Sequence, residues 1–295
     1  MACDEAFTLT RRSWPHLKDM RHVLSILLAF LLAPTSPGQD YAAHKKALQE
    51  RLPHDGFTIV IQEPFVVIGD EAAADVRRRA RQTVKWCVEH LKKSYFKTYP
   101  DHIIDVWLFK DRGSYIKHSK LLWGATPDTP FGYYSSSDKA IVMNIATGGG
   151  TLCHEIVHPF IAANFPSCPS WFNEGLASLY EQCGENDGEI WGYTNWRLRG
   201  LRTAIMAKEL PSFEQLCATS SAAFYGPSSG RNYAQARYLM LWLQEHGKLR
   251  SYYRAFRENV RQDPSGYGTL RATLGTDDMD AWQRQWEAWA LALIP

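Results

Sequence analysis

The stretch from residue 151 to residue 182, TLCHEIVHPFIAANFPSCPSWFNEGLASLYEQ, constrains this chain more than any other. It opens on His154-Glu155-Ile156-Val157-His158, an H-E-x-x-H run. On an α-helix, side chains four positions apart lie one above the other, about 6 Å along the axis, so both imidazoles can reach one Zn²⁺. Glu155 projects from the neighbouring face, where a carboxylate can take the proton of an attacking water. That combination points to hydrolysis rather than to structural zinc. A third protein ligand is needed. Asn164, Pro166, Cys168 and Pro169 form a breaker cluster that ends the first helix and turns the chain back. Ser170 then reads as the N-cap of a second helix, with Trp171, Phe172, Leu176, Leu179 and Tyr180 giving it an apolar side to pack antiparallel against the first. Glu174, in the first turn of that helix, would face the imidazoles, with Glu181 as the rival ligand. Two His, one Glu and a water make a catalytic zinc set, whereas closed structural sites favour Cys-rich sets of four.

With those residues in place, the stretch resembles the gluzincin zinc metallopeptidases of the peptidase MA type, which include thermolysin-like and aminopeptidase N-like enzymes. HEIVH is similar to their zinc helix, and WFNEGLA to their third-ligand helix. The resemblance implies one zinc ion held by His154, His158 and Glu174, with Glu155 as general base. It also implies that the strand before the zinc helix, Ala140-Ile141-Val142-Met143-Asn144, is a sheet edge to which an extended peptide adds by main-chain hydrogen bonds. Tyr233, at a helix start, would be the donor to the developing oxyanion, with Tyr225 as its rival. Two positions depart from the pattern. Pro159 follows the second His and predicts a kink just past the motif. Ser178 stands where thermolysin-like members carry an Asp that orients an imidazole, so that support must come from elsewhere.

A net charge of +2 gives no reason to expect nucleic acid as partner, and Arg77-Arg78-Arg79 with Arg81 reads as a solvated helix face. Residues 23 to 33, VLSILLAFLLA, are too short to span a bilayer but match the apolar centre of a secretory signal. The expectation is a signal region over 1–38, with Met20 as an alternative start, and a secreted or periplasmic mature chain without a membrane span. Setting Cys3 aside leaves Cys87, Cys153, Cys168, Cys183 and Cys217. Cys168 and Cys183 bracket the second helix and are candidates for a disulfide, while Cys153 reads as a small buried residue on the zinc helix.

The rest of the chain predicts an α+β fold. Residues 39–148 read as an N-terminal α/β lobe with a mixed sheet and an edge strand. The pattern places strands at 57–61, 65–68 and 103–109, helices at 70–93 and 115–123, and a hairpin over 131–144. Residues 149–295 read as the zinc helix and a mainly helical lobe, with helices at 196–206, 233–245, 250–260 and 280–291 and the zinc cleft between the lobes. Trp282, Trp286 and Trp289 form a stripe expected in the core. The turn-rich Tyr225 to Gly230 is expected to rim the cleft. The function expected is a zinc-dependent peptidase acting on a peptide or protein substrate. The alternatives are a zinc amidase acting on cell-wall peptides and a non-catalytic zinc-binding module of the same fold.

Overall fold

Strands rich in Val and Ile alternate here with amphipathic helices, and that pattern builds a sheet with helices on both faces. The computed structural model describes residues 39–52 and 56–294. The expected signal region, with Met20, lies outside the described residues. The chain runs α1 (Tyr41–Arg51), β1 (Thr58–Gln62), β2 (Phe65–Gly69), α2 (Ala73–Arg79), a π-helical turn (Ala80–Lys85), α3 (Trp86–Ser94), β3 (Ile104–Phe109), α4 (Arg112–Trp123), β4 (Gly132–Ser135) and β5 (Ala140–Asn144). The strands form one mixed sheet in the order β1-β2-β3-β5-β4. Its β2-β3 and β3-β5 pairs are parallel, and its outer pairs are antiparallel.

Side chains alternate across the pleat. Phe65, Val67, Val106, Leu108, Ile141 and Met143 face the layer that contains α2, α3 and the helix bearing His154 and His158. Val66, Ile68, Trp107, Phe109 and Val142 face Leu48 of α1 and Tyr115 of α4. Strands covered on both faces carry near-continuous apolar runs, and β2, β3 and β5 are buried throughout.

From β5 a short 3-10 turn, Ile145–Thr147, and Gly148 lead into α5 (Gly149–Asn164). Gly148 has φ 108, a backbone region that a side chain would oppose. α5 continues through Pro159 to Asn164. α6 (Ser170–Leu179) follows. Pro169, not Ser170, is its N-cap, and the Ser170 hydroxyl pairs instead with that of Ser221 at 2.8 Å.

The chain does not turn helical after Gly184 as expected. It forms a hairpin of β6 (Cys183–Asn186) and β7 (Glu189–Gly192), closed by Asp187 and Gly188 with φ 52 and 74. Asp-Gly is the preferred pair for such a two-residue turn, because both positions need positive φ. Then come α7 (Arg197–Met206), α8 (Phe213–Cys217), α9 (Ser221–Phe224), α10 (Ser229–Glu245), α11 (Leu249–Asn259), α12 (Tyr267–Leu274) and α13 (Met279–Ala292). Trp282 and Trp286 pack on Phe213, with ring centroids 5.2 and 4.9 Å away, as a core stripe should. Residues 39–294 make one unit, and a single apolar core runs from the sheet through α5 and α6 to α13. The boundary expected at residue 149 therefore falls inside continuous packing. No helix among the described residues is long and apolar enough to cross a membrane.

α6 is held between α5 and α10. Gly175 permits this, since a Cβ there would meet the Ala236 backbone of α10 at 3.2 Å. Arg237, fully buried on α10, donates through Nε to Ser178 O at 2.9 Å and through Nη2 to Leu179 O at 3.3 Å and to Tyr193 O. It thereby satisfies carbonyls at the C-terminal end of α6, where a cation is favoured. Burial opposes its charge and lowers its pKa to about 10, which leaves it protonated at neutral pH. Replacing Arg237 by Met should strand those carbonyls and lower the unfolding free energy by roughly 2–4 kcal/mol, read as a fall in the urea midpoint.

Candidate metal centre

His154, Glu155 and His158 come from α5 and Glu174 from the middle of α6, and the packing of the two helices brings them together. His154 Nε2 lies 3.2 Å from Glu174 Oε2, and His158 Nε2 lies 3.8 Å from the same oxygen. The imidazole centroids are 4.9 Å apart with their planes at 78°. One donor atom from each of His154, His158 and Glu174 falls within 4.8 Å of the others, the arrangement needed to hold a metal ion. Glu155 stands beside them, its Oε2 3.9 Å from His158 Nε2.

The donor set fits a divalent ion. Glu174 Oε1 accepts a hydrogen bond from the Tyr225 hydroxyl at 2.6 Å, but its Oε2 is buried with no hydrogen-bond partner. That oxygen is faced by His154 Nε2 at 3.2 Å and His158 Nε2 at 3.8 Å, so three donor atoms turn toward one point where a bound cation would sit. Two imidazole nitrogens and a carboxylate oxygen suit zinc and other borderline first-row ions.

Each imidazole is supported from behind. His158 Nδ1 meets Asn173 Oδ1 at 3.0 Å, so the residue before Glu174 orients the ring that Glu174 faces. His154 Nδ1 lies 3.4 Å from Glu181 Oε1, at ion-pair range rather than in a tight hydrogen bond. Glu181 is fixed in turn by Arg197, at 2.7 and 2.8 Å, and by Asn195 Nδ2 at 2.8 Å. Glu181 is thus not a rival third ligand. It supplies the carboxylate that Ser178 cannot. Gly150, in the first turn of α5, lets the chain at Glu181 come this close, since a Cβ there would sit 1.8 Å from Glu181 O.

Burial and charge work against each other across this cluster. Burial disfavours the charged form of His154, but Glu174, Glu181 and Glu155 override it and raise its pKa to about 10. Burial also pushes Glu174 and Glu181 upward. The histidines and Tyr225 override it for Glu174, and Arg197 and His154 for Glu181, so that each falls to about 2. Glu155 moves the other way. Its burial outweighs the two imidazoles and raises its carboxyl above the ordinary value.

The site opens into a cleft of about 1260 Å³. Tyr225, Ser229 and Gly230 line it, as expected for the segment that ends the 225–230 turn, and so does Tyr233. α10 begins at Ser229, so Tyr233 sits within the second turn of the helix rather than at its start. Tyr233 lies near enough to Glu174 to feel its charge. Burial, reinforced by Glu174, pushes both tyrosines up, so both hydroxyls remain protonated donors.

The substrate strand requires a correction. Ala140, Ile141, Val142, Met143 and Asn144 form β5, which is buried and pairs with β3 on one side and β4 on the other, so its main chain has no free edge. The edge is β4, one strand further out. Gly132, Tyr133 and Tyr134 of this strand line the cleft together with Glu155. A second correction concerns Cys168 and Cys183. They sit at opposite ends of α6, a helix about 15 Å long, which exceeds disulfide reach.

No protein-family model matches this chain, and no curated protein matches it. The geometry of the site itself therefore carries the functional argument.

Two outcomes follow from this network. Glu174 and Glu181 sit near 2 in the folded chain against an ordinary 4.5, so their contribution to stability is complete above about pH 4.5 and lost as pH falls toward 2. His154 sits near 10 against 6.5, so its contribution is complete below about pH 6.5 and lost as pH rises toward 10. Chelator-treated protein should show the plateau of this cluster between those limits in thermal unfolding scanned against pH. Glu181→Gln should weaken metal binding by about 10–100-fold in a competitive chelator titration, because the support of His154 is lost while all three ligands remain.

Proposed function

We propose that this chain is a zinc-dependent peptidase that hydrolyses peptide bonds with Glu155 as general base. One observation carries the reading: the buried His154 and Glu174 and the partly buried His158 converge beside Glu155, and an edge strand borders the same cleft. A zinc ion bound by those three residues would supply Lewis acidity and lower the pKa of its water to about 7.

The chain's own groups account for the remaining steps. An extended peptide adds to β4 through main-chain hydrogen bonds, which brings a peptide carbonyl to the mouth of the site whatever its side chains. Tyr134, on this edge, lines the cleft together with Glu155. Glu155 takes the proton from the attacking water and passes it to the leaving amine. Its raised pKa suits both duties, since a carboxylate moved toward neutrality gains as a base and still releases the proton. The hydroxyls of Tyr225 and Tyr233 stand on the α6 side of the cleft, where either can donate to the oxygen that gains charge as the carbonyl becomes tetrahedral. Asn173 and Glu181 hold the imidazoles in register throughout.

Glu155→Gln preserves size and leaves all three ligands in place. It should retain the metal and lower turnover by about 10²–10⁴-fold. The measurements are metal content by elemental analysis and rate on a peptide-library digest, and wild-type-like turnover in the variant would refute the assignment. In the same digest, cleavage confined to cell-wall fragments would indicate an amidase, and stoichiometric metal without any cleavage a binding module.

A further inference from the structure

Large aromatic side chains left open to solvent are ordinary one at a time and informative when they gather in one concavity. Five are exposed among the described residues, and three of these, Phe131, Trp196 and Tyr225, line the cleft. Tyr225 is engaged through its hydroxyl bond to Glu174, which leaves Phe131 and Trp196, 47% and 66% exposed. Both flank the first turn of α5. Phe131 O accepts from Asn144 N at 2.8 Å, which sets it beside the end of β5, just before Gly148. Trp196 precedes Arg197, which grips Glu181 at 2.7 and 2.8 Å, and the backbone of Glu181 abuts Gly150. One ring thus belongs to the β4 wall and the other to the wall beyond α6. The Trp196 ring is backed by Arg197, whose guanidinium carbon lies 4.2 Å from its centroid. A backed ring that is mostly exposed offers a flat apolar face with little side-chain freedom left to lose. The charges in the cleft are already engaged. Among the described residues that line it, His154, Glu155, His158 and Glu174 form the metal cluster, and Glu181 pairs with Arg197. A charged substrate side chain at this end would lose water without gaining a partner.

From this arrangement we propose that Phe131 and Trp196 form a subsite for an aromatic side chain of the substrate, at the end of the cleft where α5 begins. The inference rests on the peptidase reading and adds a substrate class to it. The class is a segment with a bulky uncharged ring at one fixed position from the cut, and Asp, Glu, Lys and Arg are disfavoured at that position. The substrate ring stacks on the open face of Trp196 and packs against Phe131 from the other wall. A peptide laid along β4 is held by its main chain whatever its sequence, so this clamp is what reads the sequence. Its binding energy comes from apolar surface withdrawn from water at a distance from the reacting bond, which acts on KM more than on kcat.

The test gives the zinc-loaded full chain acetyl- and amide-capped peptides, first as a library and then as pairs that differ only by Phe or Ala at the selected position. Products identified by mass spectrometry should show Phe, Tyr or Trp enriched at one position from the cut. Trp196→Ala should lower kcat/KM for the Phe peptide about 10–100-fold more than for its Ala partner, through KM, and Trp196→Phe should restore most of that difference. Phe131→Ala, on the opposite wall, should act in the same direction, which separates the clamp from the Arg197 support behind Trp196. Calorimetric binding of the same pairs to metal-loaded Glu155→Gln reads the subsite without turnover. Cleavage without aromatic enrichment, or variants that weaken both peptides of a pair alike, would overturn the subsite and leave the peptidase reading intact. Trp196-dependent binding of the Phe peptide with no cleavage by the wild type would keep the subsite and overturn the peptidase. Neither binding nor cleavage would overturn both. Tighter binding of an N-acetylglucosamine oligomer than of the Phe peptide would show the clamp to hold a sugar and overturn its assignment to an amino-acid side chain.

Discussion

Charges withdrawn from water must be answered by other charges, and that requirement governs this molecule. Glu174 and Glu181 are carboxylates in the interior, and each is held ionised by neighbours that are themselves largely buried. His154 lies between them and takes charge from both sides. Remove any one partner and the others face a low-dielectric interior uncompensated, which is far more costly than the pair is favourable. The cluster is therefore a condition on how α5, α6 and the segment after α6 must pack.

The packing around it meets that condition with few parts. Gly150 and Gly175 remove side chains where the backbone of a neighbour has to pass, one for Glu181 and one for α10. Arg237 reaches from α10 to the carbonyls at the end of α6, so the helix that carries Glu174 is fixed at its far end. Arg197 holds Glu181 and also stacks over the rings of Trp196 and Tyr233, at 4.2 and 4.8 Å. Structural support and the cleft wall thus share residues. A substitution at Arg197 would be felt by His154 through Glu181 without touching any ligand.

What could be read from the sequence was whatever depends on local periodicity. The spacing of His154, Glu155 and His158 on one helix, the breaker cluster at 164–169 and the apolar side of α6 were sufficient to bring Glu174 to the imidazoles. The β-branched runs located the sheet strands and made the fold class legible. Features that depend on pairing were not. β5 is as apolar as an interior strand should be, yet the family resemblance implies an edge there. The hairpin partner, β4, reads only as a short aromatic run. Asp187-Gly188 carries a usable turn signal for β6 and β7, though neither strand has the β-branched run that marks the larger sheet. Glu181 was recognised as a candidate, but its role depends on Arg197 and Asn195, sixteen and fourteen residues away. Arg237 could have been suspected as a lone cation in an otherwise apolar helix segment.

The uninterrupted core has a mechanical consequence. Where two lobes meet across a seam, a cleft can close by swinging one against the other about a hinge. Here the same interior extends beneath both walls of the groove, from the sheet to α13, and offers no such seam. The groove therefore behaves as a fixed mould. Under the proposed function, a peptide entering it would have to be already extended and slender enough to lie along β4, so selection would act on the shape and pliancy of the incoming segment before any of its side chains is read.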